Sequence, residues 1–269
     1  MKPFVKIVQY TIVDQMRHKS FYVLLAISIG FIFLIRGCYS GNYTINGRQV
    51  DNIASAWIAS RIVFQVIIMG MLLMVSMVSM KIFRRDQNDG SVHLFLSRPV
   101  DRWEYVLGRI IGIWLFFLFF MVVLHFTICL IVWFNTHEMM IGYVLASLVC
   151  SVNLLFMISA VCLFSLFLPD VISAMFAVGL VCLGFISDGG YKLFSVGVVK
   201  ALVPGIANTE PALWRVFFPK LFMVQAYGDS IICQNVFTGI GPVHPLLNVF
   251  GFIVLLLILT LFVFHKKEI

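Results

Sequence analysis

Charge is what this sequence has least of. Asp, Glu, Lys and Arg make up 12% of its 269 residues against 61% hydrophobic residues, whereas a soluble domain carries about 25% charged and about 45–50% apolar residues. A water-soluble fold of that composition would aggregate, and the mean hydropathy of +1.03 points to a chain solvated by lipid. Insertion removes the size limit of a soluble core, so residues 1–269 are read as one transmembrane domain. The net charge of +7 does not indicate nucleic acid, because the basic residues flank apolar runs and form no continuous basic face. Anionic lipid headgroups suit them better.

Catalytic signatures are missing too. There is no HExxH, no GxSxG, no pair of carboxylates inside an apolar run and no CxxC or Cys/His ligand spacing, so neither a metal nor a catalytic site is expected and a membrane enzyme has no support. The phosphate-cradling G-x-x-x-x-G-K-[ST] loop is absent down to its Gly-Lys dipeptide. Any ATP-driven activity therefore needs a partner that carries the ATP. Polar residues inside apolar runs are few: His125 reads as a neutral histidine donating to a backbone carbonyl, and Asn153 as an interhelical hydrogen-bonding residue. Of six cysteines, Cys129, Cys150, Cys162 and Cys182 fall inside apolar runs as small hydrophobes. Cys38 and Cys233 lie in polar connections, where a disulfide is possible if that side is oxidising.

What the sequence has in abundance is long apolar runs. A helix needs roughly 20 apolar residues to cross a bilayer core, and runs occur near Phe21 to Ile35, Ile53 to Ile82, Ile110 to Phe134, Ile141 to Leu168, Val171 to Ile186 and Leu246 to Phe264. The expected fold is all-α, a polytopic membrane protein of about six transmembrane helices. Only Pro169 and Asp170 separate the fourth run from the fifth, which allows either a tight turn or a pair of half-spanning helices.

Basic residues near span ends remain cytoplasmic. With the N-terminus inside, Lys2, Lys6, Arg17, Lys19, Lys81, Arg84, Arg85, Arg98, Arg102, Arg109, Lys266 and Lys267 are cytoplasmic, twelve of nineteen. Both termini are therefore expected in the cytoplasm of a cell whose inner membrane holds the chain. Residues 1–20 could pass for a secretory signal, and Ile35-Arg36-Gly37-Cys38 approaches a lipoprotein cleavage box, but Arg36 is wrong for it and the charged lead-in is long. Phe4, Val8, Ile12 and Met16 recur opposite Lys2, Lys6 and Gln9, the pattern of an interfacial helix. On the outer side, the connection 187–243 is punctuated by Gly189-Gly190, Pro204-Gly205, Pro211 and Gly241-Pro242. Its apolar pieces, Ala212 to Phe218 and Leu221 to Ala226, are too short to span and read as interfacial or re-entrant helices, with Trp214 and Tyr227 near their ends.

One cytoplasmic connection, residues 81–109, is long and highly charged. Val92, Phe95 and Leu96 fall on one side of a short amphipathic helix that Pro99 stops. Such a helix needs a groove, either the membrane surface or a partner protein; the plainer reading is a basic juxtamembrane loop. Asp86, Asp89, Asp101 and Glu104 would repel anionic headgroups. The order Arg85-Asp86, Gly90-Ser91, Leu94 to Ser97, Pro99, Arg102, Glu104 and Gly108-Arg109 resembles the segment between the second and third spans of type 2 ABC transporter permeases. There an acidic residue precedes a Gly-Thr pair, an apolar Leu-Leu-Ser, a Pro, a basic residue, an acidic residue and a Gly-Lys. Here Asp86 stands for the usual Glu, Ser91 for Thr and Arg109 for Lys. Asp14-Gln-Met-Arg17 and Phe218-Pro219-Lys220-Leu221 are also similar to that family.

The resemblance implies a permease subunit, not itself an enzyme, with no cofactor bound directly and with ATP and Mg on a separate ATP-binding-cassette ATPase. It implies a second permease copy or relative, and a coupling segment containing Arg85, Asp86, Asp89, Gly90, Phe95, Leu96, Pro99, Asp101, Arg102, Trp103 and Glu104. Export of an apolar or amphipathic substrate, or relay of force to an outer partner, follows. The alternatives are a secondary transporter or channel, which would more often show intramembrane charges or helices interrupted at mid-depth, and a membrane enzyme.

Overall fold

The computed structural model describes residues 3–17, 22–23, 25–30, 44–45, 48–49, 52–82, 101–136, 141–195, 218–237 and 243–266. Among these the chain is helical apart from a two-residue antiparallel ladder, β1 (Thr44–Ile45) with β2 (Arg48–Gln49), in the register Thr44 to Gln49 and Ile45 to Arg48. The helices are α1 (Pro3–Arg17), α2 (Asn52–Ser79), α3 (Arg102–Thr136), α4 (Ile141–Ser165), α5 (Asp170–Ser195), α6 (Leu221–Cys233) and α7 (Pro245–Lys266). Five of them, α2, α3, α4, α5 and α7, are long and apolar enough to cross a membrane, which makes this a multi-pass helical membrane protein. Of the run Phe21 to Ile35, residues 22–23 and 25–30 are helical and the remainder lies outside the described residues.

α4 is the central helix, buried from Tyr143 to Leu163 and in contact with α2, α3, α5, α6 and α7. Small residues at Ala146, Ser147, Cys150 and Ser151 let those neighbours approach. The two serine hydroxyls donate within the helix, to the carbonyls of Val144 at 2.7 Å and Leu148 at 2.6 Å, so neither is an unpaired donor in an apolar layer. The outer helices show the reverse of a soluble pattern: α5 exposes Val171, Met175, Phe176 and Ile186, and α7 exposes Leu247, Phe250, Leu255, Ile258 and Phe262, faces that suit lipid chains.

Pro169 makes a tight turn. α4 closes with Leu168 N–H donating to the Phe164 carbonyl at 2.9 Å, and α5 opens with Ser173 N–H donating to the Pro169 carbonyl at 2.9 Å. Both helices are of full spanning length, so the half-spanning alternative does not hold here. Two expected boundaries move. α5 continues through Gly189-Gly190 to Ser195, so residues 187–195 belong to a helix and not to the connection 187–243. A helical glycine costs only about 1 kcal/mol, and packing against Phe222, whose ring meets Phe185 edge-on at 5.9 Å, offsets it. α3 begins at Arg102, so residues 102–109 of the 81–109 segment are the base of a long helix.

α1 is amphipathic but turned from its expected phase. Ile7, Val8, Thr11 and Gln15 are buried while Met16 is exposed. A strict four-residue repeat drifts by about 40° per step on a helix of 3.6 residues per turn, so Phe4 and Met16 cannot share a face with everything between them.

Candidate functional site: the base of α3 and the α4–α6 seam

The residues expected to couple the chain to an ATPase fall in two groups. Arg85, Asp86, Asp89, Gly90, Phe95, Leu96 and Pro99 lie outside the described residues. Asp101, Arg102, Trp103 and Glu104 form the N-terminal edge of α3. The Asp101 carbonyl accepts from Tyr105 N–H at 3.2 Å, and its carboxylate oxygen Oδ2 accepts from Trp103 Nε1 at 3.2 Å. Glu104 sits in the first turn, where negative charge offsets the helix dipole. Trp103 remains 50% exposed.

Above this edge α3 is fastened to two other helices. Arg102 Nη1 donates to the His265 carbonyl at 3.1 Å, satisfying a carbonyl at the end of α7 that the helix cannot pair. Tyr105 stacks on Phe264 of the same helix with ring centroids 5.9 Å apart. One turn further, α1 crosses so closely that a Cβ on Gly108 would lie 2.8 Å from Ile7 Cγ2, and one on Gly112 would lie 2.7 Å from Thr11 Cβ and 3.2 Å from the Val8 carbonyl oxygen. Only glycine admits this approach.

Between the glycines, Arg109 is 1% exposed. Its Nη1 lies 3.4 Å from Thr11 Oγ1 and 3.8 Å from Asp14 Oδ2, and the guanidinium faces the rings of Tyr10 at 5.0 Å and Tyr105 at 5.8 Å. A cation buried among a carboxylate, a hydroxyl and two aromatic faces is held by geometry that lysine could not reproduce. Arg109, Tyr105, Thr11 and Gly112 were not among the expected site residues. The signal available was Gly108-Arg-Ile-Ile-Gly112, a G-x-x-x-G pattern that marks close helix approach in membranes.

At the opposite end of the bundle, α6 runs antiparallel to α4. A Cβ on Gly142 would fall 2.7 Å from the Ile231 carbonyl oxygen, while Asn153 Nδ2 donates to the Leu221 carbonyl at 3.0 Å, the interhelical bond expected of this asparagine. Asn153 lies about 18 Å along α4 from Ile141 at 1.5 Å per residue. α6 therefore starts near the middle of the bundle and runs to the end where α4 begins, the course expected of one limb of a re-entrant helix. Its first residues are anchored by Asn248 of α7, whose Oδ1 accepts from Lys220 N–H at 3.0 Å. Its last turns are held by Asp229, which takes a bidentate pair from Arg61 of α2, Nε to Oδ1 at 2.7 Å and Nη2 to Oδ2. The second apolar piece of the connection 187–243 is this helix; of Ala212 to Phe218 only Phe218 is described.

Polar groups mark the interior on this side. Tyr143 donates to the Ser60 carbonyl at 2.9 Å, and His125 is fully buried between the Phe64 ring at 5.0 Å and the Tyr143 ring at 5.3 Å. Cys233, at the end of α6, is partly buried; burial first and the Asp229 charge second push its thiol above the ordinary range. Cys38, its expected disulfide partner, lies outside the described residues. Among the described residues no group of His, Cys, Asp and Glu side chains is placed to hold a metal. The sequence matches no known protein-family model and no characterised protein.

Proposed function

We propose that this chain is the membrane-spanning subunit of an ATP-binding-cassette transporter, driven by a separate ATPase and working with a second permease copy or relative. The observation that supports it best is the continuity at Asp101. The last eight residues of the charged segment, 102–109, are the start of a 35-residue helix to whose base α1 and α7 are both fastened. A displacement of the segment moves α3 as a lever and carries α1, through Gly108, Arg109 and Gly112, and α7, through Arg102 and Tyr105. In this reading the α3 base and both termini are cytoplasmic, α6 lies on the outer side, and the cargo is an exported apolar or amphipathic molecule or mechanical force for an outer partner.

The re-entrant α6 favours a second reading, a secondary transporter, since half-helices that begin at mid-depth recur in such proteins. One experiment separates them. The cognate ATPase should co-purify with the wild-type chain and be lost from Phe95→Ala, Trp103→Ala at matched membrane levels, because helix-in-groove docking concentrates its energy in a few apolar anchors worth about 2 kcal/mol or more each. Undiminished association with full ATP turnover in that variant removes the segment as a coupling element. Uptake driven by an ion gradient with no ATPase present favours the second reading.

A further inference from the structure

The closed contact between α4 and α6 leaves polar atoms unsatisfied where hydrocarbon surrounds the bundle. Gln225 is 1% exposed and, among the described residues, both its Oε1 and Nε2 lack a hydrogen-bond partner; Asn153 is equally buried and its Oδ1 lacks one there too. The two belong to one seam. Gln225 follows Leu221 by four residues and precedes Gly228 by three, so it shares the α6 stripe whose Leu221 carbonyl takes the Asn153 hydrogen bond and whose Gly228 faces Cys150, where an added Cβ would sit 2.7 Å from the sulfur. Backbone groups thus hold the seam on either side while a whole amide between them has no partner among the described residues.

Unpaired buried amides are costly, and more so where no water can reach them. An apolar residue at 225 would avoid that cost. The seam packs Leu221, Val224 and Ile232 of a short helix closely against α4, with Gly142 and Gly228 in the approach, and at its far end it meets solvent at the partly exposed Arg61–Asp229 pair.

We propose that the α4–α6 seam is a water-accessible polar slot, reaching from the Arg61–Asp229 bridge down to Asn153, which opens by tilting of α6 and admits water and small uncharged amides onto Gln225 and Asn153. The inference does not depend on the energy source proposed above, since it concerns the chain alone.

The chain carries its own reporter. Cys150 lies in the seam and Cys162 three turns along the same helix, both buried free thiols. Iodoacetamide is a small uncharged amide and alkylates only a thiolate, which forms a C–S bond as iodide leaves, so it reads out water and probe together. In full-length protein in lipid nanodiscs, peptide mapping by mass spectrometry should find Cys150 carboxamidomethylated about tenfold or more faster than Cys162. Replacing the unpaired amide, Gln225→Leu, should bring the Cys150 rate down toward that of Cys162 without lowering the thermal transition. Equal slow labelling of Cys150 and Cys162 in folded protein, with both labelled after denaturation, overturns the proposal; so does a Gln225→Leu variant with an unchanged ratio or a markedly lower transition, since the amide is then either irrelevant to access or satisfied.

Discussion

Gly112→Ala is the smallest change that should loosen α1 from the bundle. The new Cβ would stand 2.7 Å from Thr11 Cβ and 3.2 Å from the Val8 carbonyl oxygen, against a comfortable carbon–carbon separation of about 3.5–4.0 Å. Neither obstacle is the end of a flexible side chain, so α1 must retreat by about 1 Å. Overpacking of this kind costs about 1–3 kcal/mol, and the retreat also lengthens the Arg109 contacts with Thr11 and Asp14. Alanine improves the intrinsic helicity of α3 by about 0.8–1 kcal/mol, but that gain belongs to α3 whether or not α1 is docked, so the clash decides the docking equilibrium. Hydrogen exchange read peptide by peptide should show α1 amides exchanging roughly 5- to 150-fold faster, the factor that 1–3 kcal/mol represents, while α4 amides keep their protection. Unchanged α1 exchange would mean that the α1–α3 contact yields without cost, and the account of α1 as part of a clamped unit would fail with it.

Arg109→Lys should release α1 in the same assay, because an ammonium cannot face Asp14, Thr11 and both tyrosine rings at once; rescue by lysine would reduce the site to a simple charge. Asp229→Asn should lower the thermal transition only slightly, by the equivalent of about 1 kcal/mol or less, because Arg61 is half-exposed, and the exchanged pair Arg61→Asp, Asp229→Arg should recover what is lost. The thiol of Cys233 is raised first by burial and then by Asp229, so its thiolate forms only above the pH at which an ordinary cysteine ionises. Its alkylation should lag a free cysteine at neutral pH and catch up as pH rises, and Asp229→Asn should shift that profile downward; a profile identical to free cysteine would contradict the placement. Reporter fusions after Lys267 and after Pro204 should give opposite signals, and matching signals would break the six-span arrangement.

The spans were legible because their signal is additive: twenty apolar residues in a row outweigh any local propensity, and three of the five spanning helices, α2, α4 and α7, overlap the expected runs almost throughout, while α3 and α5 contain theirs and extend beyond them. Where a boundary rested on one or two residues it moved or held according to what packs there. Pro169 stopped a helix because its ring removes a donor and clashes with the preceding turn, which no neighbour can undo. Gly189-Gly190 did not, because glycine is only a weak breaker and Phe222 packs beside it. The fourfold repeat assigned to α1 misjudged its buried face for a different reason: four is close to 3.6 over one turn and wrong over three.

The site was less legible because its parts are paired across long stretches of sequence. Apart from Gly108 and Gly112, nothing local to Arg109 distinguishes it from the other basic residues at span ends, and the orientation rule treats it as one more cytoplasmic charge. It differs only when Asp14 and Tyr10, nearly a hundred residues earlier, are brought against it, and that depends on two glycines having no side chain. The same holds for Gln225, which reads as a polar residue in an outer connection until α6 is laid along α4. In both places the informative residue is a glycine: Gly112 lets a cation be buried between helices, and Gly228 lets α6 approach α4 closely enough to bury an amide. A glycine in a membrane chain is thus better read as a statement about the distance to another helix than as punctuation of its own, and that reading would have found Gly108 and Gly112, though not their partners, from the sequence.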